Sequence, residues 1–210
     1  MGRVGILGGA FNPPHLGHLV LAQEARSQLG LDRVVWMPYG EPSHRALPDD
    51  PGGEARFTMC EYAVDADAQF AVSRIEIDRA GPVYTIDTLR QLRASRPEDE
   101  LFVLLGGDQA ASLADWRSPE EVLSLAVVGV VERDEWRRSE IVERLGALWS
   151  DERLRFVDMP RIDISSSMVR LRARAGRPIR YLVPEKVANY VGAESLYGAP
   201  AAAAEAGATR

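Results

Sequence analysis

Cysteine and lysine each occur once among the 210 residues, as Cys60 and Lys186, and histidine only three times. A single cysteine permits no internal disulfide and no thiolate metal cluster, so a reducing, cytoplasmic setting is expected. No apolar run approaches the ~20 residues of a membrane span. The N-terminus also lacks the charged-then-apolar pattern of a secretory signal. The net charge of −6 argues against nucleic acid or an anionic membrane as the main partner. An anionic small ligand would need a locally positive pocket within this negative molecule. The hydrophobic fraction of 46% and charged fraction of 27% are ordinary for a globular chain. We expect one domain over residues 1–198. The alanine-rich residues 199–210 lack an apolar period and read as a disordered tail.

Two of the three histidines fall within four positions, in Gly8-Gly9-Ala10-Phe11-Asn12-Pro13-Pro14-His15-Leu16-Gly17-His18. The apolar run Arg3 to Leu7 before them reads as a buried parallel strand. A helix is predicted to open near Leu16. Gly8 and Gly9 allow backbone N–H groups to approach a ligand that a Cβ would obstruct. Free N–H groups and the positive dipole end of the helix would face the same spot. With two imidazoles added, the loop suits phosphates undergoing reaction. It has neither the glycine spacing of the dinucleotide fingerprint nor a Lys-Ser/Thr after the loop as in a P-loop. The bland alternative is a tight strand-to-helix turn carrying two surface histidines.

Strands and helices alternate along the chain. Leu21, Ala22, Ala25 and Leu29 share one helical face, which Gly30 ends. Arg33 to Met37 reads as a second strand stopped by Pro38, and Tyr39 to Gly53, rich in Pro and Gly, as a mobile loop. A helix through Ala63 precedes an extended stretch near Ala71 to Ile77. Thr85 to Arg93 is helical, with Ile86, Leu89 and Leu92 on one side. Leu101 to Leu105 is the clearest interior strand, closed by Gly106-Gly107-Asp108. Ala126 to Val131 is a further apolar run. A helix around Ser139 to Leu148, a strand near Leu154 to Val157 and helices from Ser166 and Pro184 complete the order. This is an α/β chain with a doubly wound parallel sheet and a small C-terminal helical part. Both glycine-rich turns, after Leu7 and after Leu105, fall at carboxyl ends of strands, where such sheets bind ligands.

The second concentration of chemistry is Ile164-Ser165-Ser166-Ser167-Met168-Val169-Arg170. Serines opening a helix can be simple caps. Hydroxyls, free helix N–H groups and Arg170 one turn on also make an anion site. Sequence leaves both roles open.

The loop with His15 and His18, followed far downstream by Ile164 to Arg170, resembles the nucleotidyltransferase superfamily with paired H-x-G-H and I-S-S-T-x-x-R motifs. Pro42-Ser43-His44-Arg45, Gly81-Pro82-Val83-Tyr84-Thr85, Gly107-Asp108, Trp116 and the closing Leu196-Tyr197 narrow the resemblance. Over residues 3–197 the chain is similar to bacterial nicotinate mononucleotide adenylyltransferases. The resemblance implies a Rossmann-like fold and transfer of AMP from ATP to nicotinate mononucleotide, giving nicotinate adenine dinucleotide and pyrophosphate. It implies Mg2+ carried by the ATP phosphates and no metal held by the protein itself. Homo-oligomers remain open. A same-fold enzyme acting on nicotinamide mononucleotide or phosphopantetheine, or a non-catalytic nucleotide-binding module, is the alternative.

By that resemblance His15, His18 and Arg170 are catalytic. Gly8, Gly9, Ala10, Phe11, Gly106, Asp108, Ile164, Ser165 and Ser167 would join them around ATP, with Asp108 on the ribose hydroxyls. Tyr84 and Thr85 would offer backbone N–H groups to the pyridine carboxylate, and Trp116 would stack on the ring. Tyr39, His44, Arg45 and Arg133 would gather at the mononucleotide phosphate. Packing for Trp116, helix capping for Thr85 and Asp108, and a solvated charge run for Arg133 are the structural alternatives. The chain departs from the family pattern at Ala10 for Thr or Ser, Tyr39 for Asn, Ser43 for Pro and Ser167 for Thr. Acidic Glu132 and Asp134 also flank Arg133.

Overall fold

In the computed structural model, which describes residues 2–42, 47–131 and 138–200, six parallel strands make one sheet. They are β1 (Arg3–Gly9), β2 (Arg33–Pro38), β3 (Phe70–Val72), β4 (Glu100–Gly106), β5 (Val127–Val131) and β6 (Leu154–Val157). Their order across the sheet is β3-β2-β1-β4-β5-β6. The chain therefore winds outward from β1 to one edge, returns, and builds the other half from β4. Val4 stands opposite Leu101 and Ile6 opposite Val103 in the central pair. The carboxyl ends of β1 and β4 flank the reversal of strand order, where a crevice opens in such sheets.

Both faces of the sheet are covered, and the two-residue period of each strand divides its side chains between them. Val4, Ile6, Leu101, Val103 and Leu105 join one apolar cluster. The helices on that face are α3 (Thr85–Ser95), α4 (Gly107–Ala111), α5 (Pro119–Leu125) and α6 (Arg138–Leu145). Leu7, Val34, Trp36, Phe102 and Leu104 join the other, with α1 (Leu16–Leu29) and α2 (Gly53–Val64). The α1 face predicted from sequence is buried, and Gly30 closes that helix at φ +61°, a conformation that favours glycine. Its N–H bonds to Ser27 O while that of Leu31 bonds to Arg26 O, so the last carbonyls are satisfied.

A third cluster joins Met59 of α2 to α7 (Ser166–Arg174) and α8 (Glu185–Ala193) through Val169, Ala173, Val187, Val191 and Tyr197. This is the expected C-terminal helical part. Tyr197 is buried there, its hydroxyl facing Met59 Sδ at 3.8 Å. Among the described residues no helix is long and apolar enough to cross a membrane.

Two expectations are corrected. The stretch expected to stay extended to Ile77 leaves the sheet after Val72. Ser73 Oγ accepts the N–H of Ile75, and Asp78 N–H bonds to Arg74 O, so the chain turns and buries Glu76. The segment expected to be an irregular, mobile loop contains a short strand and specific contacts among its described residues. Glu41–Pro42 pairs in parallel with Pro82–Val83, Asn12 Nδ2 donates to Pro48 O, and Asp50 meets Arg56 at 2.9 Å. Gly40 lies so close to the turn at Glu76 that a Cβ would come within 2.8 Å of the Glu76 carbonyl oxygen.

Candidate active site

The first loop leaves β1 at its carboxyl end and enters α1 with His15 in the capping position. A Cβ on Gly8 would meet nothing within 4 Å, so protein packing alone does not demand glycine there. Phe11 takes φ +49° and is buried. Its ring stacks on Trp36 at 4.9 Å and meets the edge of His18 at 5.1 Å. His15 is buried with its ring centroid 3.8 Å from that of His18. His18 Nδ1 accepts the backbone N–H of His15 at 3.1 Å. The neutral ring must then carry its proton on Nε2, which makes that atom a donor.

The helix start is less open than expected. The Leu16 N–H bonds to Leu182 O and that of His18 to His15 O. The imidazoles, more than α1's first amides, are therefore the donors this loop offers to an anion.

The downstream serine run opens α7 and lies against this loop. Ser165 is the N-cap, its hydroxyl accepting the Met168 N–H at 3.2 Å. Ser166 Oγ donates to Pro13 O at 2.9 Å. Arg170 is buried; its Nη1 donates to Asn12 O at 2.8 Å and its Nη2 to Ser167 Oγ at 3.2 Å. The Arg170–Asn12 contact ties residues 158 apart in sequence, and the Ser166–Pro13 contact residues 153 apart. Asp49 pairs with Arg170 at 3.5 Å and with Arg174 at 2.6 Å. A carboxylate thus already sits against the guanidinium groups of α7.

At the neighbouring strand ends, Tyr39 and Gly40 follow β2, while Gly106 ends β4 and exposed Asp108 lies in the first turn of α4. Tyr84 is the N-cap of α3 and Thr85 its first residue. Trp116 is half-buried against the core of that face, Nε1 donating to Ser112 Oγ at 3.4 Å. The Arg117 guanidinium lies 4.9 Å from the Tyr84 ring centroid. The start of α3 is linked to the β2 loop through Glu76. Its carbonyl accepts the Gly40 N–H, and its carboxylate accepts the Thr88 hydroxyl at 2.7 Å. Thr88 in turn accepts from Arg79 at 2.9 Å. Burial pushes the Glu76 carboxyl above the ordinary carboxylate range, while Thr88 and Arg79 pull it back.

Of the residues expected at the site, Gly8, Gly9, Ala10, Phe11, His15 and His18 share one loop and helix start. Ser165, Ser167 and Arg170 join them through α7, with Ile164 just before that helix. Gly106 ends the adjacent strand and Asp108 lies in the first turn of α4. Tyr84, Thr85 and Trp116 form a separate group on the α3 side. His44, Arg45 and Arg133 lie outside the described residues. Sequence reading missed Asn12, Asp49, Asp50, Arg56, Glu76 and Ser166. Arg56 carried a signal: it lies on the apolar face of α2 with Phe57, Met59 and Cys60, where an unpaired cation would be costly. Among the described residues no group of three or more His, Cys, Asp or Glu is placed to hold a metal ion.

Residues 6–172 match the cytidylyltransferase-like family model. The probable nicotinate-nucleotide adenylyltransferase of Corynebacterium kroppenstedtii is 42% identical, covering 93% of this chain and 90% of that protein. The one of Mycobacterium avium is 43% identical, covering 92% and 91%. In fold the chain is similar to Plasmodium falciparum nicotinic acid mononucleotide adenylyltransferase complexed with NaAD. That likeness has a TM-score of 0.79 at 15% identity and covers 95% of this chain and 99% of that one. With two motifs distant in sequence meeting at the reversal of a doubly wound sheet, and relatives of this identity along nearly its whole length, the chain belongs to the nicotinate-nucleotide adenylyltransferase family of cytidylyltransferase-like proteins.

Proposed function

We propose that this chain transfers AMP from ATP to nicotinate mononucleotide, releasing nicotinate adenine dinucleotide and pyrophosphate in NAD biosynthesis. The observation that carries this reading is Arg170 donating to the carbonyl of Asn12, within the loop that ends in His15 and His18. Imidazole and guanidinium donors are thereby gathered around one small region, as a triphosphate requires.

The mononucleotide phosphate is already an anionic nucleophile and needs no general base. One of its oxygens attacks the α-phosphorus of ATP in line. A new P–O bond forms as the bond from the α-phosphorus to the bridging oxygen breaks, and that electron pair leaves on pyrophosphate. The protein's task is positioning and stabilisation of developing charge. His18, with Nδ1 occupied, donates from Nε2 to the phosphate being transferred. His15 stands beside it, and Arg170 with Ser165 and Ser167 takes the leaving β- and γ-phosphates. Asp108, in the first turn of α4 just after β4, accepts from the ribose hydroxyls. The magnesium ion enters as part of the substrate Mg–ATP, held by phosphates and water. Phosphorylated, water-soluble reactants of this kind go with a cytoplasmic site of action.

On the other side of the crevice, the backbone N–H groups of Tyr84 and Thr85 receive the pyridine carboxylate, with Trp116 against the ring and the Tyr39 loop at the phosphate. Fixed donors favour a carboxylate over a carboxamide, which would set N–H against N–H. Release of pyrophosphate with Mg–ATP and, in turn, nicotinate mononucleotide, its amide counterpart and phosphopantetheine tests the reading. Turnover with the acid well above that with the amide is expected. Equal efficiency on both removes the Tyr84–Thr85 assignment, and binding of ATP without release of pyrophosphate removes catalysis.

A further inference from the structure

We propose that Arg56, outside both sequence motifs, is a positioning residue that fixes the distance between the two substrate loops. Its residue exposure is 0%. Nη1 donates to Ala10 O at 3.2 Å and to Tyr39 O at 2.6 Å, Nη2 to Gly40 O at 2.9 Å, and Nε to Asp50 Oδ1 at 2.9 Å. The guanidinium carbon also lies 5.5 Å from the centroid of the Tyr39 ring. One planar cation therefore holds the backbone of the loop after β1 to the backbone of the loop after β2.

In the function proposed above, on which this inference rests, the first loop carries ATP and the second the mononucleotide phosphate. Their separation sets how closely the nucleophilic oxygen approaches the α-phosphorus. Stability is a weak reason for such a residue. Burying a cation is costly, and well-packed apolar side chains often serve as well. Only the flat, multidonor fork reaches several acceptors at once, a geometry a lysine ammonium lacks. Arg56 touches carbonyl oxygens of the loops and acts on the reaction through them.

The consequence is a particular kinetic signature. Each loop alone still receives its own substrate, so misalignment of the pair lowers kcat more than it raises either KM. A misplacement of about 1 Å at a reacting centre costs on the order of 100-fold.

The test uses the full chain with Arg56→Lys and Asp50→Asn, the second loosening Nε from the Asp50 carboxylate. Val187→Ala, in the buried cluster of α8, serves as a control for stability loss. Pyrophosphate release is measured well below each variant's melting midpoint, varying each substrate separately. We expect Arg56→Lys to lose about 10- to 100-fold in kcat, with neither KM rising by as much. Asp50→Asn should show a smaller loss of the same kind, and Val187→Ala the parental kcat despite a lower midpoint. A folded Arg56→Lys with parental kcat, or with KM effects alone, overturns the proposal. If that variant does not fold, a parental kcat in Asp50→Asn overturns it. An inactive parent chain defeats the functional reading itself, whereas an active parent with unaltered variants defeats only this inference.

Discussion

Arg170 faces the Asp49 carboxylate at 3.5 Å, and this pairing competes with any phosphate that approaches α7. Asp49 is partly exposed, so the pair contributes at the modest level of a solvent-accessible ion pair. Removing the negative charge with Asp49→Asn is expected to lower the KM for ATP by about two- to fivefold, leaving that for the mononucleotide unchanged. Initial-rate measurements with each substrate varied in turn check this; an increased KM for ATP would instead make Asp49 part of the binding site. His18→Ala removes a donor aimed at developing charge and is expected to cost on the order of 10²–10³ in turnover. Near-parental turnover in that variant would remove the mechanism. Both histidines were legible because two imidazoles in four positions after a glycine pair have few structural explanations. The tautomer of His18 was not legible, since it depends on which backbone N–H the turn brings to Nδ1. The position of Arg56 on the apolar face of α2 hinted at a buried role, but its acceptors come from two loops that local periodicity does not describe. Asp49 was hidden because its partners lie on the distant helix α7.

At the level of elements, α7 is seated by Ser166 Oγ on Pro13 O and by Arg170 on Asn12 O. Ser166→Ala is expected to cost about 0.5–1.5 kcal/mol of stability and to raise the KM for ATP; denaturant unfolding and kinetics read the two effects separately. α3 is seated by the chain Arg79 to Thr88 to Glu76. The folded protein holds the Glu76 proton to higher pH than the unfolded chain does. Stability associated with this group is therefore fully present below the unfolded carboxyl value of ~4.3, falls as pH rises through the raised folded value, and is level above it. Glu76→Gln keeps an acceptor for Thr88 without the buried charge. It is expected to raise the melting midpoint at neutral pH, with the advantage shrinking towards acid. An unchanged pH slope in thermal melts would exclude this account. The long strands were readable because both faces of the sheet are covered, which leaves continuous apolar runs. α4 and α5, five and seven residues long, are too short for a helical period to declare itself. For α5, Pro119 at the first turn and the acids Glu120 and Glu121 were the remaining signal. The end of β3 at Val72 was missed because a serine hydroxyl and a buried glutamate turn a stretch whose side chains still suit a strand.

For the molecule as a whole, alternation of strands and helices was enough to predict a doubly wound sheet with ligand loops at its carboxyl edge. It was not enough to bring the run ending in Arg170 to the histidine loop, a meeting at one triphosphate that the resemblance to a family implied. The contact of Arg170 with Asn12 itself was not foreseen. Because this junction joins the N-terminal loop to the C-terminal helices, a non-hydrolysable ATP analogue is expected to stabilise both together. At about 100 times its Kd, the linkage gain is ~2.7 kcal/mol. Hydrogen exchange should slow in residues 8–18 and in α7 alike; protection of the first loop alone would separate α7 from the nucleotide. The bond from the Leu16 N–H to the Leu182 carbonyl adds a temporal consequence. During translation the histidine loop is made well before its anchor, which lies far downstream along the chain. Messages cut short before codon 182 therefore yield chains that carry both imidazoles and lack the partner that holds the start of α1 in place.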